Sequence, residues 1–253
     1  MANLDLIKQL NKTYKKQSRL TEENKLFSFN ESFDPNKIEK AIKDSITELG
    51  PTFSLYFDFG LPADVALLFI DVCGFSTRFS DLNGEEIGEY FDEYYEIVIP
   101  IIYKYGGEID KIMGDGIICV FGPPFQDIAL DENIAKADQC SKAIIKATKG
   151  TKFSSKVAMH AGSINYFKNK TGLYREFTMI GKPLTELFRL ESISEDERVN
   201  YYDESDVRAY YLPKFSNSAS TSSTPAEWNH SLQKPVNLKG VDFEHFYSIK
   251  HNR

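Results

Sequence analysis

The chain has 253 residues, 42% of them apolar and 26% charged, and a net charge of −7. A chain of this size and mix buries a full core without staples. Its acidic balance excludes the broad basic field of a duplex-binding protein, so nucleic acid is not an expected partner. Cys73, Cys119 and Cys140 are widely spaced and odd in number; they predict free thiols in a reducing cytoplasm rather than a zinc site or a disulfide framework. No apolar run approaches the roughly 18 residues of a membrane span, and MANLDLIKQLNKTYKKQSRL lacks the apolar core of a signal peptide.

Residues 1–60 read as an N-terminal helical extension. Leu4, Ile7, Leu10 and Tyr14 recur at helical spacing on a basic background. DPNKIEKAIKDSITELG predicts a second helix, with Asp34 as cap, Pro35 in the first turn and Gly50 as stop. The main domain is assigned to 61–253. VALLFIDV is a short apolar run ending near glycine and predicts a strand. GEEIGEYFDEYYEIVIPIIYKYGG carries apolar residues at 87, 90, 91, 94, 98, 101 and 102, a helical period that Gly106 and Gly107 end. GGEIDKIMGDGIICVFG predicts two strands about the turn Gly114-Asp115-Gly116.

Residues 131–150 predict an amphipathic helix and 156–167 a strand bent at Gly162. EFTMIGK reads as a strand end, PLTELFRLESIS as a helix entered through proline. RVNYYDESDVRAYY holds a strand and a helix. A Ser/Thr-rich insertion at 215–227 is expected to be mobile. PVNLKGVDFEHFYSI closes the chain as a hairpin. Strands and helices thus alternate in a mixed α/β order.

Two aspartates stand where strands end. Asp71 closes LLFIDV, and Asp115 occupies the hairpin turn 44 residues later. Aspartate is common in turns for conformational reasons alone. A helix between the two strands can bring both to one sheet edge, where paired carboxylates hold one or two Mg²⁺ ions and leave positions for water and phosphate. Two such ions about 4 Å apart activate an attacking oxygen and stabilise a leaving one. After Asp71, Gly74, Phe75 and Ser76 lead from strand to helix. Successive N–H groups at such a turn form an anion nest, and glycine lets a phosphate approach. His160, with no second histidine nearby, reads as structural.

LFIDVCGFS, GGEIDKIMGDGIICVFG, VAMHAGS, FTMIGKPLTELFRLES and VNLKGV resemble, in order, the landmarks of class III nucleotidyl cyclases over residues 64–250. That resemblance implies an α+β fold with a ferredoxin-like βαββαβ core: a mixed, mainly antiparallel sheet with helices on one face. It implies an enzyme that converts a ribonucleoside triphosphate to a 3′,5′-cyclic nucleotide and pyrophosphate. Asp71, Val72 and Asp115 would hold two Mg²⁺ or Mn²⁺ ions. The active site would form between two copies of the chain, head to tail with two-fold symmetry. Lys111 matches the base-contacting lysine and Thr178 the second base contact. Arg189 matches the arginine on the α-phosphate, Thr185 the position of a ribose-orienting asparagine, and Lys239 the lysine on the terminal phosphates.

Thr178 stands where the family often has aspartate. Thr185 replaces an amide with a hydroxyl, which cannot supply an amide donor. With no sensor or membrane segment attached to the domain, these departures resemble bacterial pyrimidine cyclases of the antiphage Pycsar type, which make cyclic UMP or CMP for a separate effector. ATP cyclisation is the alternative, and a catalytically inactive nucleotide-binding homologue is another. Lys111, where guanine readers tend to place an acid, argues against GTP. The absence of a GGDEF-like turn argues against a diguanylate cyclase.

Overall fold

The computed structural model describes residues 10, 13–14, 51–57, 59–79, 83–168, 177–216 and 227–252. The helix expected over 34–50, with its Asp34 cap, and most of the 215–227 insertion lie outside the described residues. The elements run α1 (Pro51–Phe57), β1 (Pro62–Val72), α2 (Phe75–Arg78), α3 (Gly84–Lys104), β2 (Glu108–Met113), β3 (Gly116–Phe121), α4 (Leu130–Thr148), β4 (Ser155–Lys168), β5 (Phe177–Ile180), α5 (Lys182–Glu191), β6 (Arg198–Tyr202), α6 (Asp206–Ser216), β7 (Trp228–His230), β8 (Lys234–Pro235) and β9 (His245–His251).

One sheet takes the strand order β2-β3-β1-β4-β6-β9-β7, with β5 added on β4 and β8 on β9. All neighbours are antiparallel except β4 and β6. The segment β1-α3-β2-β3-α4-β4 is the expected βαββαβ core. β1 sits at its centre, paired with β3 through Ala66–Ile70 and with β4 along its whole length.

The sequence gives each long helix a clear reason to form. Asn83 accepts from the N–H groups of Glu85 and Glu86, and Glu86 accepts from the Asn83 N–H, a closed capping box. Glu85 and Glu86 in the first turn and Lys104 in the last suit the helix dipole. Tyr90, Tyr94, Val98 and Ile102 recur every four residues and are buried. In α4, Ile134, Ala137, Cys140 and Ile144 recur every three or four residues and are buried.

Helices cover both faces of the sheet, not one. Ala66, Leu68, Ile70 and Val72 of β1 pack with the residues of α3, α4 and α6. Val65, Leu67 and Phe69 point the other way and pack with Leu184, Leu187 and Leu190 of α5 and with Phe57 of α1. The cause is legible in β1, where every residue from Val65 to Ile70 is buried. A strand apolar at both parities needs cover on both sides.

The N-terminal segment also reaches the body. Leu10 is buried in the α3–α4 cluster, and the Tyr14 ring stacks on Tyr103 at 5.4 Å.

β4 keeps its pairing with β1 unbroken through Gly162. The glycine, at φ 154°, makes room for Pro183 at the start of α5; an added Cβ would lie 2.6 Å from the proline Cγ. Gly162→Ala is therefore expected to cost about 1–3 kcal/mol through overpacking. A thermal melt should show it as a loss of a few degrees, and an unchanged melting temperature would contradict this packing.

At the outer strand, the β2–β3 register shifts between Ile109 and Lys111. Asp110 is the residue left out of the ladder. It is almost wholly buried, and neither carboxylate oxygen has a hydrogen-bond partner among the described residues. Burial raises its pKa.

Candidate active site

The antiparallel register sets the site. Asp71 lies directly across from Lys156 on β4, and its Oδ2 is 3.4 Å from the Lys156 Nζ. Cross-strand partners share a sheet face, here the face that carries α5. The same ammonium reaches Glu191, the last residue of α5, at 2.9 Å. Asp115 enters from the β2–β3 turn. Gly114 there takes φ 62°, and its carbonyl accepts from the Tyr95 hydroxyl at 2.5 Å, which fixes the turn to α3. Gly116 follows with no side chain because the Phe69 ring occupies that space, 2.8 Å from where a Cβ would stand.

The two carboxylates feel each other. Asp71 is pushed up to about 7, first by burial, then by the charge of Asp115, against the lowering pull of Lys156. Burial also raises Asp115, opposed in part by its hydrogen bonds, one of them with Asp71. Two acids forced together in a half-buried pocket hold an excess of negative potential, which a divalent cation neutralises. The donor set fits Mg²⁺ or Mn²⁺, two carboxylate groups with space beside them. Among the described residues no cluster of three or more metal-type side chains forms. Val72 buries its side chain on the opposite face, so only its backbone is left to serve a cation.

Beside this pair, Gly74 adopts the left-handed conformation at φ 63°, ψ 30° and opens α2. The Phe75 ring packs on Phe79, Tyr90 and Phe91. That leaves its N–H, not its ring, at the turn beside Asp71. The turn is held from below by the Cys73 N–H, which donates to the Ser154 carbonyl at 2.8 Å.

The remaining predicted residues lie on other elements. Thr185 and Arg189 are exposed on α5 and lie one helical turn apart. Lys182, on the same stripe, pairs with Asp242 in the loop that carries Lys239. Lys239 is exposed at the tip of that loop. Thr178 is half-buried on β5, across from Phe167. Lys111 is half-buried on β2, 3.5 Å from Asp110.

One chain does not close these two groups around a common point. Glu191 turns towards Lys156 and Asp71, whereas Arg189, two residues earlier and about 200° around the helix, faces outward.

Comparison with solved structures shows where this fold recurs. The catalytic core of a rhodopsin-guanylyl cyclase with converted specificity, solved with ATPαS, superposes at a TM-score of 0.62 and 16% identity, over 76% of this chain and 98% of that one. The adenylyl cyclase CyaB from P. aeruginosa superposes at 0.60 and 21% identity, over 77% and 97%. A dimeric guanylyl cyclase domain from the fungus Blastocladiella emersonii superposes at 0.55 and 16%, over 77% and 99%. The chain has the class III cyclase fold.

Sequence relatives add no activity. An uncharacterized protein of Mycobacterium tuberculosis is 24% identical over 182 residues, 69% of this chain, and one of Mycobacterium bovis matches equally. The chain spans only 30% of the length of these relatives. Comparison with known protein families returns no match.

Within the class III cyclase fold, Lys156 and Glu191 are the residues that the sequence reading passed over. A lysine opening a strand carries no pattern of its own. Its place beside Asp71 follows only from the β1–β4 register. His160, read as structural, is buried and contacts Glu186 at 3.1 Å, while its Nδ1 lacks a hydrogen-bond partner among the described residues. Among those residues no helix is long and apolar enough to cross a membrane.

Proposed function

We propose that this chain is the catalytic domain of a two-metal nucleotidyl cyclase. It converts a ribonucleoside 5′-triphosphate into a 3′,5′-cyclic nucleotide and pyrophosphate. The observation that carries this reading is the convergence of Asp71 and Asp115, with Lys156 beside them, at the end of β1. Asp71, the Val72 backbone and Asp115 are the groups that would hold the cations. When bound, the divalent cations supply acidification of the 3′-hydroxyl and charge neutralisation of the triphosphate.

The protein's part is positioning and charge. The N–H groups at Gly74, Phe75 and Ser76 and the Lys156 ammonium receive phosphate oxygens. The ribose 3′ oxygen attacks the α-phosphorus, the bond to the β-phosphate oxygen breaks, and the hydroxyl proton passes to solvent. Arg189 presents a planar fork to the α-phosphate as its charge is redistributed. Lys239 takes the terminal phosphates, the Thr185 hydroxyl the ribose, and Lys111 and Thr178 the base.

Arg189 and Thr185 face away from Asp71 in one chain, so a second copy supplies them. The active form is a head-to-tail homodimer with two clefts on a two-fold axis. The fungal guanylyl cyclase domain with the same fold was solved both as a non-canonical dimer and as a monomer, so the head-to-tail pairing rests on the placement of Arg189 and Thr185 in this chain.

For the base, we assign a pyrimidine, UTP or CTP. The short hydroxyls of Thr178 and Thr185 replace larger groups and donate or accept equally. The product then serves a cyclic-nucleotide-binding effector in antiphage defence inside the cytoplasm. ATP is the second reading. Similarity to the adenylyl cyclase CyaB and to a cyclase core holding ATPαS favours it.

Purified protein incubated with each of the four ribonucleoside triphosphates and Mn²⁺ should yield cyclic UMP or cyclic CMP. Cyclic AMP alone would overturn the pyrimidine assignment. No cyclic product from any of the four, with wild type and Asp115→Ala equally silent, would leave a nucleotide-binding module instead.

A further inference from the structure

The loop at 236–244 is closed at its neck, where the Val236 N–H donates to the Glu244 carbonyl at 2.7 Å. Its tip carries the exposed Lys239 and then Gly240 at φ 78°, with nothing within 4 Å of a Cβ there. The tip therefore makes no packing contact at Gly240. Its place is set from the groups that pack on the body, Val236, Val241 and Phe243, of which Phe243 is the one that stacks on buried rings.

The Phe243 ring lies flat on Tyr202, centroids 4.5 Å apart and planes 13° apart. It also meets His160 edge to face at 5.4 Å. His160 in turn contacts Glu186 of α5 at 3.1 Å, and the Tyr202 hydroxyl donates to the Glu186 carbonyl at 2.9 Å. His160, Tyr202 and Glu186 are all buried. Glu186 is the immediate neighbour of Thr185 and stands three residues before Arg189. The box that holds Phe243 is thus built from the footing of α5 itself. A second tie runs outside it, from Asp242 to Lys182. Both its members are largely exposed, so it contributes little energy and mainly sets direction.

We propose that Phe243 is a positioning residue: seated between Tyr202 and His160, it sets the Lys239 turn against the α5 stripe that carries Thr185 and Arg189, with Asp242 fixing the turn's direction through Lys182. This inference rests on the cyclase reading, in which Lys239 takes the terminal phosphates. The ligand class at the turn is a di- or triphosphate.

The test compares Phe243→Ala, Asp242→Ala, Lys239→Ala and the two doubles with Lys239→Ala. Affinity for inorganic pyrophosphate with Mn²⁺ is read by calorimetry, and KM and kcat are measured for whichever triphosphate turns over. Phe243→Ala should weaken pyrophosphate binding and raise KM about tenfold, with kcat held within about twofold. Asp242→Ala should raise KM about threefold. Neither should add to Lys239→Ala, because a misplaced lysine and a missing one are equivalent. A role in stability alone would lower apparent kcat and add in full to Lys239→Ala. Full additivity, or unchanged pyrophosphate affinity in Phe243→Ala, overturns the proposal, as does a wild type that binds no pyrophosphate. Should wild type form no cyclic product yet show the non-additive loss of pyrophosphate binding, the cyclase reading fails and the positioning role stands.

Discussion

Asp115→Ala is expected to lower cyclic-nucleotide formation by about a thousandfold or more, since a lost cation ligand removes several kcal/mol of charge stabilisation. Asp71→Ala should do the same. The fold should survive both changes, because Asp115 sits in a turn and Asp71 at a strand end. Stability offers a second reading of the same pair. Asp71 is raised from its model-compound value of 3.8 to about 7. A carboxyl with a raised native pKa binds protons more tightly when folded, so its contribution is present in acid and lost as pH rises through about 7. Metal-free wild type should lose stability across that interval, and Asp115→Ala should flatten the slope by removing the neighbouring charge. Turnover within tenfold of wild type in Asp115→Ala would remove this residue from the site.

The second large effect concerns the shared cleft. Arg189→Ala and Asp71→Ala chains should each be inert alone, with losses of about a hundredfold or more. Mixed in equal amounts and allowed to exchange, they should regain about a quarter of wild-type activity. Half the pairs are then mixed, and each mixed pair keeps one intact cleft of its two. The geometry behind this is the stagger on α5, where Glu191 reaches Lys156 while Arg189 faces out. If both residues served one chain's own cleft, mixing would restore nothing. Product formation in the mixture, with each parent silent, is the measurement that decides.

Much of the core was legible because its signals are local. The period in α3, its glycine stop at Gly106 and Gly107, and the glycine-flanked turn at Asp115 each state their structure within a few residues. The pairing of Asp71 with Asp115 was legible because a helix of fitting length separates two strands. Cover on both sheet faces was written in the double parity of β1 but was read as helices on one face. A glycine in a strand such as Gly162 signals a bulge, a bend or a close approach. Only the position of Pro183 tells which. Lys156 and Glu191 were illegible, since their meeting depends on strand register and on where α5 ends. The box around Phe243 joins three segments distant in sequence, and no spacing announces it.

The displaced carboxylate of Asp110 bears on how the sheet's rim behaves. Among the described residues β2 ends the strand order on one side, and a rim strand invites pairing with a stranger's backbone. An acid turned inward at a break in the ladder makes continuous addition there costly, because an incoming strand would meet a missing rung above a buried carboxyl that Lys111 approaches at 3.5 Å. The same irregularity that re-aims Lys111 thus discourages this chain from stacking rim to rim into fibres.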